Sequence, residues 1–183
     1  EKLGGRGSVF HVGKHKNRDI TACTQQMKSF IERVIDETDG SKSLFILETG
    51  AGCGTEMLTT MEELGQFYHS FSEKYKKRIR LCIDTCHVFS AGYDLGTKKK
   101  VNEFIDLIQK HIKWNNVELI HLNDSKTKLG SRVDRHENLG EGNIPILGLK
   151  YFIKFCKEKE IPIILETPVN EYRIADMDIL SSS

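Results

Sequence analysis

Asp134-x-His136 is the pair in this chain whose residue types and spacing point most directly to chemistry. It lies in Gly130-Ser131-Arg132-Val133-Asp134-Arg135-His136-Glu137-Asn138-Leu139-Gly140-Glu141-Gly142-Asn143-Ile144, a run holding two arginines and three glycines. That run is too polar and too glycine-rich for a helix or a strand core, so it is expected to be a loop. Loops carried by a rigid scaffold are where binding and catalytic residues concentrate. An Asp and a His two apart on an extended loop can turn their side chains toward one ion. A solvated turn with incidental charges is the competing reading. Residues elsewhere in the chain weigh between the two.

The same residue types recur where apolar runs end. His11 closes Ser8-Val9-Phe10-His11, Glu48 closes Leu44-Phe45-Ile46-Leu47-Glu48, and Asp84 closes Leu81-Cys82-Ile83-Asp84. His121 closes Val117-Glu118-Leu119-Ile120-His121, and Glu166 closes Ile163-Ile164-Leu165-Glu166. His87 follows Asp84 by three residues, a metal or acid/base spacing across a strand end and the turn after it. A carboxylate ending a buried strand needs a partner, because desolvating an unpaired charge is costly. A strand-end His, by contrast, is a structural hydrogen-bonder as often as a ligand, and His11-x-Gly-x-His15 is not specific. Gly50-Ala51-Gly52-Cys53-Gly54 fits neither the dinucleotide nor the Walker spacing. Cys82 and Cys86 read as small apolar fillers.

Together with Asp134 and His136 these positions give eight candidate ligands: His11, Glu48, Asp84, His87, His121, Asp134, His136 and Glu166. Mixed imidazole and carboxylate sets suit zinc or manganese, with iron also admissible. Eight donors exceed what one tetrahedral ion takes, so two or three ions sharing carboxylates are expected. Closely spaced ions suit phosphoester cleavage, in which attacking and leaving oxygens are both stabilised. A metal-dependent sugar isomerase or epimerase on a related barrel remains open at this point.

The elements that must position these residues alternate along the chain. Buried strands near 8–11, 43–49, 79–84, 117–124 and 161–166 are separated by helical periodicities. The first of these carries Met27, Phe30, Ile31, Val34 and Ile35, read as a core-facing stripe over 21–39. The next carries Met57, Met61, Leu64, Phe67, Tyr68 and Phe71, and the last Leu149, Phe152, Ile153 and Cys156. Only a short tail is expected after Pro168. The cluster Lys74 to Arg80 reads as a solvated connection with at most a minor phosphate contact. Strict alternation with near-continuous apolar strands predicts an α/β fold with a parallel sheet and right-handed crossovers. Ligand-type residues at all five strand ends favour a (β/α)8 TIM barrel over an open sheet, whose site would sit at one switch point.

Bulk composition fits this. The chain has 183 residues, 38% hydrophobic and 29% charged, with a net charge of +1. That balance excludes a polycation, so any nucleic-acid contact must rest on local basic residues. Five cysteines without a CxxC pair argue against a disulfide framework or thiolate zinc site and point to a reducing, intracellular compartment. No apolar run approaches the ~20 residues of a membrane span, so no membrane partner is expected.

Several stretches resemble the endonuclease IV family, the zinc-dependent apurinic/apyrimidinic endonucleases (family 2). They are Leu81-Cys82-Ile83-Asp84-Thr85-Cys86-His87, Ala91-Gly92-Tyr93-Asp94-Leu95, His121-Leu122-Asn123-Asp124, the 130–144 loop and Leu165-Glu166-Thr167. The resemblance implies three zinc ions, with manganese or iron admissible at some sites. Glu48 would bridge the first two and His11 would hold the first. Asp84, His121 and Glu166 would hold the second, and His87, Asp134 and His136 the third. It further implies hydrolysis of the phosphodiester 5′ of an abasic site in double-stranded DNA, leaving a 3′-hydroxyl. Glu48 and Glu166 would be the catalytic carboxylates, Glu166 orienting or deprotonating the attacking water. Lys14, Lys126, Arg132 and Arg135, with Lys16 and Lys128, are candidate phosphate partners of the DNA. The family's barrel has three strands before the one placed at Val9 to His11. Residues 1–183 are therefore expected to be a partial domain covering strands 4–8, poorly stable and weakly active alone, from a protein monomeric at full length. A non-catalytic DNA-binding remnant is the third reading.

Overall fold

The computed structural model describes residues 4–170 and 172–183. Five parallel strands form one sheet: β1 (Gly7–His11), β2 (Leu44–Glu48), β3 (Ile79–Asp84), β4 (Val117–His121) and β7 (Ile163–Ile164). Their spatial order is their chain order, β1-β2-β3-β4-β7, with every pairing parallel. A doubly wound sheet would reverse direction at a switch point; a barrel adds each strand beside the last. The fold is thus a (β/α)8-type arrangement of consecutive βα units. Two very short strands, β5 (Asp124–Ser125) and β6 (His136–Glu137), form a separate antiparallel pair.

The helices α1 (Ile20–Glu37), α2 (Met61–His69), α3 (Glu73–Lys76), α4 (Thr85–Ala91), α5 (Lys98–His111), α6 (Ile146–Glu158) and α7 (Arg173–Ser182) complete the chain. Local chemistry sets their starts. Asp19 accepts from the Ala22 amide at 2.7 Å to cap α1, and Thr60 with Glu63 forms a capping box at α2. The core lies between the sheet and α1, α2, α5 and α6, where Phe45, Leu47, Leu81, Ile83, Phe104, Ile108, Phe152 and Ile153 are buried. Alternation then turns Ile46, Cys82 and Leu119 to the other face of the sheet, where they form a second small cluster.

Four expectations change. Phe30 is not core: it is 56% exposed, near the Arg33 guanidinium, because it stands at the margin of the stripe centred on Met27, Ile31 and Val34. Met57 and Phe71 are buried but lie outside α2, which starts after the Thr60 cap and ends at His69. His87 sits in the first turn of a helix, α4, rather than in a bare turn. The stretch after Pro168 ends in a ten-residue helix, α7, and not in a simple tail.

Candidate metal centre

Parallel pairing in register brings the strand ends together. His11 is the partner of Glu48 across β1–β2, and Asp84 the partner of His121 across β3–β4. Side-chain alternation then points all of these residues to one side of the strand ends. His11 Nε2 lies 3.3 Å from Glu48 Oε2. His121 Nδ1 lies 2.8 Å from Glu48 Oε1, 3.0 Å from Glu166 Oε2 and 3.9 Å from Asp84 Oδ2. Two donor groups result that could each hold an ion: His11, Glu48 and His87, and Glu48, Asp84, His121 and Glu166. Glu48 belongs to both.

A third group joins α4 to the polar loop. His87 Nε2 and His136 Nε2 each lie 3.2 Å from an oxygen of Asp134. The other ring nitrogens are taken: His87 Nδ1 is 2.8 Å from the Thr49 carbonyl and His136 Nδ1 is 3.3 Å from the Glu166 carbonyl. A ring that donates through Nδ1 presents the Nε2 lone pair, the arrangement of metal-ligating histidines with a hydrogen-bonded outer nitrogen. Both Nε2 atoms are buried without a well-directed hydrogen bond. Two buried, orphaned lone pairs aimed beside one carboxylate fit a cation better than they fit each other.

Without an ion, charge pairing dominates the titrations. Burial alone would depress His87, but its contact with Asp134 and the charges of Asp84 and Glu48 outweigh it and raise it to about 10. His121 and His136 are raised the same way, against burial, chiefly by Glu48 and Asp134 respectively. Asp134 is held far below the usual carboxylate range by His136 and His87. Burial opposes the charge on Glu48, yet the histidines around it, His121 foremost, still bring it below its ordinary value. The thiols are different. Burial, reinforced by Asp84, pushes Cys86 up to about 12, and Cys82 is also raised. Both stay neutral in the metal-free chain, although each sulfur lies within ligand distance of a candidate set, Cys82 with Glu48 and His121 and Cys86 with Asp84 and His136.

The supporting residues were less visible in the sequence. Asp84 caps α4 through the His87 amide at 2.9 Å, which fixes the Asp-x-x-His spacing. Thr49 Oγ1 accepts from the Asp84 amide at 3.0 Å while its carbonyl holds His87. Asn123 donates to Asp84 Oδ2 at 2.7 Å and accepts from the Glu166 amide at 2.9 Å. Thr49 and Asn123 lie at the ends of the predicted strands 43–49 and 117–124, one and two residues past Glu48 and His121, and a buried polar residue there is the signal that could have found them. Asp124 organises the loop, accepting from the amides of Ser125, Ile144, Gly140 and Gly142 between 2.7 and 3.1 Å. A side chain at Gly142 would strike the Asp124 carboxylate, so the glycine is required there. Asp176, on α7, accepts from Thr167 Oγ1, the Leu139 amide and Asn138 Nδ2 at 2.6–2.7 Å.

The basic candidates are all exposed, and none belongs to the donor groups. Lys14 pairs with Glu56 and Lys126 with Glu137, each at 3.6 Å. Arg135 donates to the Asp134 carbonyl at 2.8 Å. Arg132 has a left-handed backbone, φ 55°, and its side chain lies over Gly52. Lys16 and Lys128 stand on the loops that follow β1 and β5.

Residues 1–181 match the family described as "Xylose isomerase-like TIM barrel". The chain is 36% identical over 173 residues to "Apurinic-apyrimidinic endonuclease" of Caenorhabditis elegans, covering 94% of this chain and 43% of that protein. It is 38% identical over 166 residues to "Probable endonuclease 4" of Thermosipho melanesiensis, covering 91% and 57%. The crystal structure of endonuclease IV from Thermus thermophilus matches with a TM-score of 0.80 at 26% identity, over 98% of this chain and 62% of that one. The chain spans about half the length of the curated relatives it matches.

Proposed function

The chain belongs to the xylose isomerase-like TIM-barrel family, its named matches being endonucleases of the endonuclease IV kind, and from that premise we propose that it is the metal-binding part of a DNA-repair endonuclease. The reaction is hydrolysis of the phosphodiester 5′ of an abasic site, leaving a 3′-hydroxyl. The observation that carries this reading is the convergence of four histidines and four carboxylates on one end of the sheet. No carboxamide or thiolate is needed to complete the donor sets, and that chemistry suits zinc.

His11 and Glu48 would hold one ion, Glu48 with Asp84, His121 and Glu166 a second, and His87, Asp134 and His136 a third. When bound, the ions supply Lewis acidity to the scissile phosphate and lower the pKa of water. Glu166, whose side chain is 43% exposed, is open to solvent and positioned by His121 to take a proton from the attacking water. Asp134 is similarly open, at 41%. The named relatives that the chain matches are endonucleases, which favours a nuclease over an isomerase. Lys14, Lys16, Lys126, Lys128, Arg132 and Arg135 lie on loops around the site and position the backbone by phosphate contact, giving little sequence preference.

The test is a duplex carrying one abasic site, incubated with zinc-loaded protein. Single-strand scission at the lesion, ending in a 3′-hydroxyl and abolished by chelator, is the expected result. Turnover of an aldose with no scission would instead mark an isomerase. Binding to the duplex without scission by the loaded protein would mark a non-catalytic module.

A further inference from the structure

The basic stretch after α2 has no part in the metal centre. Arg80 is the second residue of β3, and Lys113 precedes the 3-10 turn Trp114–Asn116 that leads into β4. These residues therefore stand at the N-terminal ends of the strands. Asp84 and His121 stand at the C-terminal ends, roughly 13 Å away along β3 at the usual strand rise. In this fold that end ordinarily serves stability rather than chemistry.

A concavity of about 410 Å³ lies there, lined by Lys76, Lys77, Arg80 and Lys113 with Glu73 and Asn116 among its other walls. Four cations thus face one carboxylate. Glu73 is already engaged with Lys76 at 3.0 Å. Lys77 and Lys113 have no ion pair or hydrogen bond through their side chains among the described residues. Arg80 is half-buried, and its Nη1 donates to the carbonyls of Lys76 and Ile79, both at 2.8 Å. No carboxylate among the described residues pairs with it, and its Nη2 and Nε donors are unspent. Asn116 is fixed beside it, donating to the Ile112 carbonyl and accepting from the Tyr68 hydroxyl.

Crowding cations in a concavity is unfavourable unless an anion joins them. A guanidinium fork with lysines around it matches the oxygens of a phosphate, which takes bidentate and point-charge donors together. The volume is within the range of small-ligand pockets, ~300–1,000 Å³, so the phosphate can carry an organic group. We propose that this pocket is a phosphate-binding site, in which Arg80, Lys76, Lys77 and Lys113 hold the phosphate of a small phosphomonoester or of a nucleic-acid backbone. The site does not depend on the nuclease reading and is tested without any cleavage assay.

Inorganic phosphate and, separately, a short undamaged DNA duplex are titrated into the full chain with chelator present. Backbone amide resonances are followed at Lys113–Asn116 and, for the other end of the sheet, at His121–Asp124. Saturable shifts at Lys113–Asn116 are expected. In the doubly reversed variant Lys77→Glu/Lys113→Glu, both exposed positions, the apparent affinity there falls at least tenfold while the spectrum stays folded. Saturation by inorganic phosphate assigns the site to small phosphate compounds; saturation by the duplex alone assigns it to a nucleic-acid backbone. Absence of saturable shifts with both probes, or an affinity unchanged in the double variant, overturns the proposal.

Discussion

Asp134 holds two imidazoles that would otherwise be buried and neutral, and that single contact makes the metal-free site pH-sensitive. His87 is raised to about 10, from ~6.5 in an unfolded chain. A group raised on folding contributes stability that is complete below the unfolded value and is lost as pH climbs through the folded one. Metal-free protein should therefore lose melting temperature between about pH 6.5 and 10, and Asp134→Asn should flatten that slope. Scanning calorimetry in chelator across that range is the check; a flat profile in the wild-type chain refutes it. Ligands must be deprotonated to coordinate, so zinc uptake at pH 7 should release protons, measurable as buffer-dependent heat. Asn123 gives a second prediction at this scale. It joins Asp84 to the Glu166 backbone without facing the reacting atoms, so it is a positioning residue. Asn123→Ala should weaken zinc binding about 10–100-fold, the usual effect of losing an outer partner. Asn123→Asp, which keeps the acceptor for the Glu166 amide but turns a carboxylate oxygen toward Asp84 in place of the amide donor, should not restore it. Equal zinc affinity in all three chains would remove Asn123 from that role.

The loop from Asp124 to Ile144 and the helix α7 act as one element. Asp124 gathers four amides from the loop, and Asp176 binds the loop at Asn138 and Leu139 while also binding Thr167, next to Glu166. Removing the Asp176 carboxylate would strand three buried donors, which costs about 1–3 kcal/mol for each that finds no water. Asp176→Ala should thus lower stability by roughly 3 kcal/mol and shift the melting temperature by about 5–10 °C. Denaturant midpoints of the two chains check it, and a change below half of that would show α7 to be a bystander. The sequence made the strands legible because apolar runs ending in His, Asp or Glu are rare without a reason. It made the loop's Asp134 and His136 visible by type. The second layer was hidden: Asp176 lies 40 residues beyond His136, on a segment with weak helical periodicity, and only packing brings it beneath the loop. Phe30 misled in the opposite direction, since a helical stripe has a margin that periodicity does not locate.

At the scale of the whole molecule, the order β1-β2-β3-β4-β7 makes the candidate ions a tie across every strand of the sheet. Donors come from the ends of β1, β2, β3 and β4, from α4, from β6 with the residues before it, and from the segment after β7. In their absence, four carboxylates and four histidines are held by mutual pairing and by the bonds from Thr49 and Asn123, and β7 contributes just two paired residues. An ion that binds the folded state and not the unfolded one stabilises it by about 2.7 kcal/mol at a hundred times its dissociation constant. For a chain of this length that corresponds to a rise of roughly 5–10 °C in melting temperature. Zinc added to chelator-treated protein should produce that rise, and His136→Gln should reduce it without abolishing it, because the Glu48-centred groups remain. The effect should also be uneven. Hydrogen exchange should slow most at Thr49, His121–Asp124 and Thr167, where the tied strand ends meet, and least in α1 on the outer layer. Uniform slowing, or a melting temperature indifferent to zinc, would mean that the convergence of these residues does not bind an ion strongly enough to brace the fold.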